Sequence, residues 1–394
     1  MKTLTKNIKY IGVDDLDLDL FEGQYIVPEG MAYNSYLIVD EKICVMDTVD
    51  ARKGDEWAAN LAEALQARQP DYLAVLHMEP DHSANIVRFL EAYPSAILLC
   101  TDKAAKMLTQ FFDYDFSGRV QVVKDGEKLS LGQHELQFVT APMVHWPEVM
   151  MVYESCEQVL FAADAFGKFG ALVNETDDWA CEARRYYFNI VGKYGAQVQA
   201  VLKKVSASPI QMICPLHGPV LKGNLSYYLN LYQTWSQYKP ETEGVFIAFA
   251  SIYGNTAKAA HYLADCLREA GVKVAISDLA REDQAEALED AFRYDRMVLL
   301  AASYDGGLFP PMEEFLMHLK AKTYRQRRVA LVENGSWAPS AGRVMKEYLT
   351  AMKEIDLYEP LISIRSAMKD ADKDALNALA LAFSKPDFSK LNKD

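Results

Sequence analysis

Seven side chains in the first two-thirds of the chain have the types and spacing of metal ligands. Four of them fall within six residues, His77-Met-Glu79-Pro-Asp81-His82, directly after the apolar run YLAVL. A strand end holds such groups rigidly, and the loop after it can aim them at one cavity. In extended backbone His77 and Glu79 project to the same side. Pro80 then stiffens the turn, leaving Asp81 and His82 to point elsewhere. That division suits two metal ions better than one.

Other strand ends supply partners. His145 stands in APMVHWPE, Asp164 closes VLFAAD and His217 stands in CPLHGP. Four of the seven histidines lie at these loops, whereas His134, His261 and His318 read as surface or helix-face residues. The set holds four imidazoles, three carboxylates and no thiolate, which disfavours a structural zinc site. Mixed imidazole and carboxylate ligation with open positions is the habit of non-haem iron that handles dioxygen. Composition alone leaves zinc and manganese open.

The elements that must position these residues change character near residue 240. Before it, short apolar runs of strand length dominate: 36–39, 43–47, 72–76, 96–100, 136–140, 149–153, 159–162 and 211–214. Helical segments are interposed at 57–68, 86–93 and 178–193. Two strand sets with interleaved helices suggest an αββα sandwich over residues 1–240. The stretch SQYKPETEG, 236–244, reads as a polar interdomain linker. From 245 to 394, strands at 245–250, 272–277, 296–302, 328–333 and 361–364 alternate with helices at 256–270, 284–291, 312–322, 342–351 and 370–384. That alternation implies a doubly wound parallel α/β sheet. The tail PDFSKLNKD reads as frayed.

This second half carries its own candidate site. Ser251-Ile252-Tyr253-Gly254-Asn255-Thr256 joins a strand to a helix. Small and hydroxylated residues at such a turn let backbone N–H groups surround a phosphate, and the helix N-terminus adds a partial positive charge. The absence of GxxxxGK[ST] argues against ATP. Two later strand ends carry Ser303-Tyr304-Asp305-Gly306-Gly307 and Asn334-Gly335-Ser336-Trp337. Their glycines allow close backbone approach, and Tyr304 or Trp337 can flank an aromatic ring. Three loops at the carboxyl ends of a parallel sheet form a ligand crevice.

On the HxExDH segment and its partners the chain resembles the flavodiiron proteins. Their first domain is of the metallo-β-lactamase type, whose hydrolases usually show HxHxDH; here Glu79 takes the place of the middle histidine. The resemblance runs from FEGQYIVPEGMAYNSYLIVDEK to the last helix and includes the domain order. It implies that His77, Glu79 and His145 bind one iron, that Asp81, His82 and His217 bind the other, and that Asp164 bridges them. It also implies a flavodoxin-like second domain holding FMN, with the phosphate on 251–256 and the isoalloxazine between the other two loops. The middle loop, SYDGGLFPPM, is the loosest match. The implied activity is reduction of dioxygen to water, of nitric oxide to nitrous oxide, or of both. The resemblance further implies a head-to-tail homodimer or a dimer of dimers. No rubredoxin-like CxxC pair is present, so a separate donor is expected, a rubredoxin or else a deazaflavin.

Composition excludes other classes. A net charge of −14 with no basic stripe argues against nucleic acid. No run of eighteen apolar residues is present to span a membrane, and MKTLTKNIKY lacks the apolar core of a secretory signal. Six scattered cysteines read as buried thiols in a reducing, cytoplasmic setting. The basic run Arg325-Gln-Arg-Arg328 reads as a solvated loop, with docking of an acidic electron donor as the other reading. Two readings compete with the di-iron oxidoreductase. One is a dizinc lactamase-type hydrolase with an appended flavodoxin domain; the other is an electron carrier with a vestigial metal domain.

Overall fold

The computed structural model describes residues 2–176 and 178–386, so all but the first residue of the PDFSKLNKD tail lies outside the described residues. The chain divides into two compact units, Met1–Gln233 and Thr234–Asp394.

The first unit is the αββα sandwich. Its seven-stranded sheet runs in the order Lys2–Thr3, Ile8–Tyr10, Tyr36–Val39, Ile43–Met46, Tyr72–Ala74, Ile97–Cys100, Val120–Val122. The pairings are antiparallel as far as Ile43–Met46 and parallel from there on. The six-stranded sheet is Lys128–Ser130, Glu135–Thr140, Met150–Glu154, Val159–Phe161, Met212–Cys214, Leu221–Lys222. Its one parallel pair joins Val159–Phe161 to Met212–Cys214. Those two strands are buried throughout, as strands covered on both faces must be. Their common direction delivers the residues after both to the same end of the sheet. Helices Asp102–Phe111, Gly195–Val205 and Leu225–Ser236 went unread in the sequence.

Three expectations fail here. The expected helix 178–193 breaks, because Trp179–Tyr186 gives way to a π-helical turn at Tyr187–Val191. His134 is fully buried rather than a surface residue, with Nδ1 3.0 Å from Glu154 and Nε2 2.9 Å from Asn7. Of the six cysteines only Cys44, Cys100 and Cys214 are buried; Cys156 is exposed, and Cys181 and Cys266 are half-buried.

The second unit is a parallel sheet in the order Val274–Asp278, Thr242–Ala250, Tyr294–Tyr304, Arg327–Asn334, Ile355–Leu357, with Ile362–Ile364 also beside Arg327–Asn334. Second strand first, then first, third, fourth and fifth is a flavodoxin-like order. The first strand begins at Thr242, so the stretch read as linker is partly sheet. Gly244 is there for close approach: a Cβ would lie 2.5 Å from the Lys273 carbonyl oxygen.

The basic run is likewise not a solvated loop. Arg327 opens a strand and is fully buried, its guanidinium donating to the carbonyls of Phe292, Tyr294 and Tyr238. Burial lowers its pKa to about 10. Arg325 stacks over Tyr238, and Arg328 lies over Tyr358 and Phe383. Arg327→Met strands those carbonyls in an apolar setting. The substitution is expected to lower unfolding free energy by about 3 kcal/mol in denaturant melts.

Candidate metal centre and flavin cleft

The strand Tyr72–Ala74 leads straight into the metal constellation. Beyond it, Asp47 Oδ1 accepts the amide of Leu76 at 2.8 Å, and the Leu76 carbonyl accepts the amide of Met150 at 3.0 Å. The chain is thus clamped just before His77. Pro80 then does more than stiffen a turn: it opens the one-turn helix Pro80–Ser83, a position where its missing N–H costs nothing. That turn swings Asp81 and His82 away from His77 and Glu79.

The seven side chains converge as two groups that share Asp164. In the first, His77 Nε2 lies 3.1 Å from Glu79 Oε2 and 3.4 Å from His145 Nε2. His145 Nε2 lies 3.1 Å from Glu79 Oε2 and 3.0 Å from Asp164 Oδ2. In the second, His82 Nε2 lies 3.1 Å from His217 Nε2, and both lie 3.3 Å from Asp81 Oδ2. The other oxygen of Asp164, Oδ1, faces this group, 3.2 Å from His82 Nε2. Donor atoms about 2.1 Å from one ion and 90–110° apart are roughly 3.0–3.4 Å from each other. The distances above have that spacing, and His217 Nε2 stands further from Asp164 Oδ1, at 3.8 Å.

Two imidazole nitrogens face to face share at most one proton, so these approaches are not a hydrogen-bond network complete in itself. Both oxygens of Asp81 and Oδ1 of Asp164 are buried and make no hydrogen bond among the described residues. Burial opposes ionisation of Asp164, but the surrounding imidazoles, His77 foremost, hold its pKa well below the usual carboxylate range. Burial opposes protonation of His77, and Asp164 outweighs it, so its pKa stands well above the usual value. The same balance, with hydrogen bonds to Asp164 and Glu79, raises His145 to about 9. A buried, mutually charged set of this kind is what a cation site leaves when only its ligands are considered.

Several supporting residues escaped the sequence reading. Glu148 Oε1 takes a hydrogen bond from His77 Nδ1 at 2.8 Å, and the Ala32 carbonyl takes one from His217 Nδ1 at 2.8 Å. Such partners fix the ring and present Nε2 inward. Gly218, with φ +74°, follows His217; a Cβ there would lie 2.5 Å from Lys168 Cγ. Tyr186, at the start of the π-helical turn, packs its ring 5.5 Å from that of His217, and its buried hydroxyl makes no hydrogen bond among the described residues. Only the π turn, frequent at functional sites, flags it.

In the second unit the three loops surround a cavity of about 310 Å³. Each of the three loops leads into a helix, and the helix after the middle loop, Pro310–Ala321, opens on two prolines that carry no amide hydrogen. The N-terminus of Ala341–Thr350 is occupied: Ser303 Oγ accepts the amides of Ser340 and Ala341, and Glu333 accepts that of Gly342. That of Asn255–Glu269 has no side-chain cap. The 251–256 loop is thus the one whose helix offers first-turn amides without a side-chain acceptor, and Thr256 there is buried. Ser251, Ile252, Tyr253, Asn255, Thr256, Ser303–Gly306 and Asn334–Trp337 line the cleft; Gly254 (φ +89°) and Gly307 shape the turns behind it. Asp305 and Gly306, with φ +47° and +71°, make the two-residue turn of a hairpin pairing Tyr304 with Gly307. Ser366 is a lining residue not foreseen; the Asn334 side chain holds its backbone at 2.9 and 3.1 Å. Tyr253 and Trp337 are 94% and 88% exposed and stand free beside the cleft.

Comparison with known proteins follows the same division. A family model described as "ODP family beta lactamase" matches residues 31–218. The rubredoxin-oxygen oxidoreductase of Megalodesulfovibrio gigas is 26% identical over 97% of this chain and 96% of its own length. The anaerobic nitric oxide reductase flavorubredoxin of Aliivibrio salmonicida is 27% identical over 85% of this chain and 69% of its own. The crystal structure of the flavodiiron protein from Giardia intestinalis shares the fold over 97% of both chains, with a TM-score of 0.90 at 22% identity. The chain belongs to the flavodiiron protein family. A hydrolase reading is not favoured, since the relatives are named as oxidoreductases.

Two outcomes are expected of this flavodiiron centre. Glu148→Gln frees the His77 ring and should weaken divalent-metal binding by about tenfold, with unfolding little changed. A raised histidine pKa means protons are held below it and must leave for a metal to bind. Metal affinity should therefore climb as pH rises towards about 9, the value for His145. Calorimetry in buffers of different ionisation enthalpy should register net proton release.

Proposed function

We propose that this flavodiiron oxidoreductase takes electrons into FMN and delivers them to two irons, where dioxygen is reduced to water, nitric oxide to nitrous oxide, or both. The observation that carries the reading is the seven-ligand set divided by the two oxygens of Asp164. The irons would be held by His77, Glu79 and His145 on one side and Asp81, His82 and His217 on the other. The orphaned oxygens of Asp81 and Asp164 support that fit, as does the absence of thiolate among the ligands. FMN would be held by Ser251–Thr256, Ser303–Gly307 and Asn334–Trp337. The uncapped N-terminus of Asn255–Glu269 supports the phosphate end of that fit.

When bound, the irons supply the open positions and the electrons that a diatomic needs; the chain supplies geometry and polarity. Glu148 and the Ala32 carbonyl hold two imidazoles in their inward tautomers. Asp47 fixes the backbone ahead of His77. Phe21 and Tyr186 wall the His217 ring, their centroids 5.3 and 5.5 Å from it, and so exclude water from that side. At the cleft, the Asp305-Gly306 turn brings backbone rather than bulk towards a flat ring system.

The donor is proposed to be a rubredoxin-type protein, in keeping with the names of the relatives, with a deazaflavin as the other candidate. A head-to-tail homodimer, or a dimer of dimers, belongs to the same proposal. Among the described residues no helix is long and apolar enough to cross a membrane.

The test is reductive turnover with each gas. Protein carrying iron and FMN, given excess electrons, should consume dioxygen or nitric oxide. His82→Asn should cut that rate on the order of 100-fold. Full activity in His82→Asn contradicts the iron assignment. Thr256→Ala should weaken FMN binding about tenfold, read from flavin fluorescence. Unchanged affinity makes Thr256 a plain helix residue.

A further inference from the structure

A cavity of about 460 Å³ lies against Glu79 and Asp81 in the first unit. Its wall is rich in carboxylates, Glu22 among them, and carries one cation, Arg52, and one phenol, Tyr33. Arg52 is already engaged, 2.9 Å from Asp15 and 3.1 Å from Asp50. Its remaining reach goes to Tyr33: Arg52 Nη2 donates to the phenol oxygen at 3.3 Å. The phenol hydrogen has no acceptor among the described residues.

We propose that Tyr33 is the fixed hydrogen-bond donor of this cavity, aimed at the oxygen of a bound diatomic or anion, and that Arg52 is its positioning residue. The inference rests on the metal reading above and concerns what surrounds the open positions.

The arrangement follows from the backbone. Tyr33 ends the strand Met31–Tyr33, paired with Val13–Asp15 in the register Val13 to Tyr33. The preceding residue, Ala32, gives its carbonyl to His217 Nδ1 at 2.8 Å. One short strand therefore orients a metal-binding ring and sets a phenol beside the same site. The Tyr33 ring meets that of His217 edge-on at 5.9 Å. It is buried and held in place before any ligand arrives.

The chemistry fits reduction of a diatomic. Electrons gained by the substrate put negative charge on oxygen, in a cavity whose carboxylates repel it. A neutral donor already in place offsets that repulsion without reorganisation. A phenol accepting from a guanidinium is polarised into a better donor. Burial, then Asp81 and Asp50, push the Tyr33 pKa up. It therefore keeps its proton and acts by hydrogen bonding; the protons consumed in forming water come from solvent.

The probe is azide added to the iron-loaded holoprotein, with its antisymmetric stretch followed in the infrared. Tyr33→Phe keeps the ring and removes only the hydroxyl. It should retain wild-type iron content, shift the azide stretch, and abolish the stretch's sensitivity to D₂O. Its kcat for gas consumption should fall roughly 10- to 100-fold with KM little changed. Arg52→Gln should move the stretch in the same direction by a smaller amount. An identical stretch and rate in Tyr33→Phe overturns the donor role, and so does loss of iron, which would make the residue structural. Arg52→Gln that behaves as wild type overturns the positioning role. Azide that fails to bind iron-loaded wild-type protein contradicts the metal reading itself.

Discussion

One carboxylate, Asp164, faces two ways. It is 1% exposed, with Oδ2 turned to His145 and Oδ1 turned to His82. Burying that charge beside Asp81 and Glu79 is costly unless cations accompany it. The surrounding fold works to make the arrangement hold. Asp164 follows Val159–Phe161, His217 follows the parallel neighbour Met212–Cys214, and His77 leaves the other sheet after Tyr72–Ala74. Rigid strand ends fix where each loop starts. Short loops leave each ligand little freedom, so the entropy of ordering the set is largely met by the fold rather than at binding.

Around the ligands lies a second set of constraints made of ordinary hydrogen bonds. Asp47 accepts the amides of Leu76 and His77, Glu148 binds the His77 ring and the Ala32 carbonyl the His217 ring. None of the three reaches into the ligand groups, yet each removes a torsional freedom from a residue that does. The flavin unit solves its problem by a similar economy of donors. Ser303 and Glu333 satisfy the N-terminus of Ala341–Thr350, Pro310–Ala321 opens on prolines, and Asn255–Glu269 has no side-chain cap. The proposed phosphate site follows from which amides are already occupied.

How much of this was legible in the sequence depends on the distance over which a residue acts. The HxExDH segment announces itself because four residues of ligand type stand together, and the three distant candidates because each follows an apolar strand. The parallel alternation after residue 240 was readable for the same reason: buried strands and amphipathic helices write their periods into the chain. Glu148 and Ala32 were not legible, since their roles exist only once residues 71 and 185 positions away are brought alongside. His134 was misread because its partner Glu154 is 20 residues off, on a neighbouring strand. Arg327 was misread because a charged run looks solvated until its carbonyl acceptors are in place. Gly244 looked like linker because close approach and flexibility leave the same letter.

The central claim is that one buried aspartate joins two metal ions into a single centre. Mössbauer spectroscopy of protein reconstituted with ⁵⁷Fe tests it most directly. The account predicts two irons per chain that are magnetically coupled when oxidised. A single iron per chain, or two irons that behave as independent paramagnets, would contradict it.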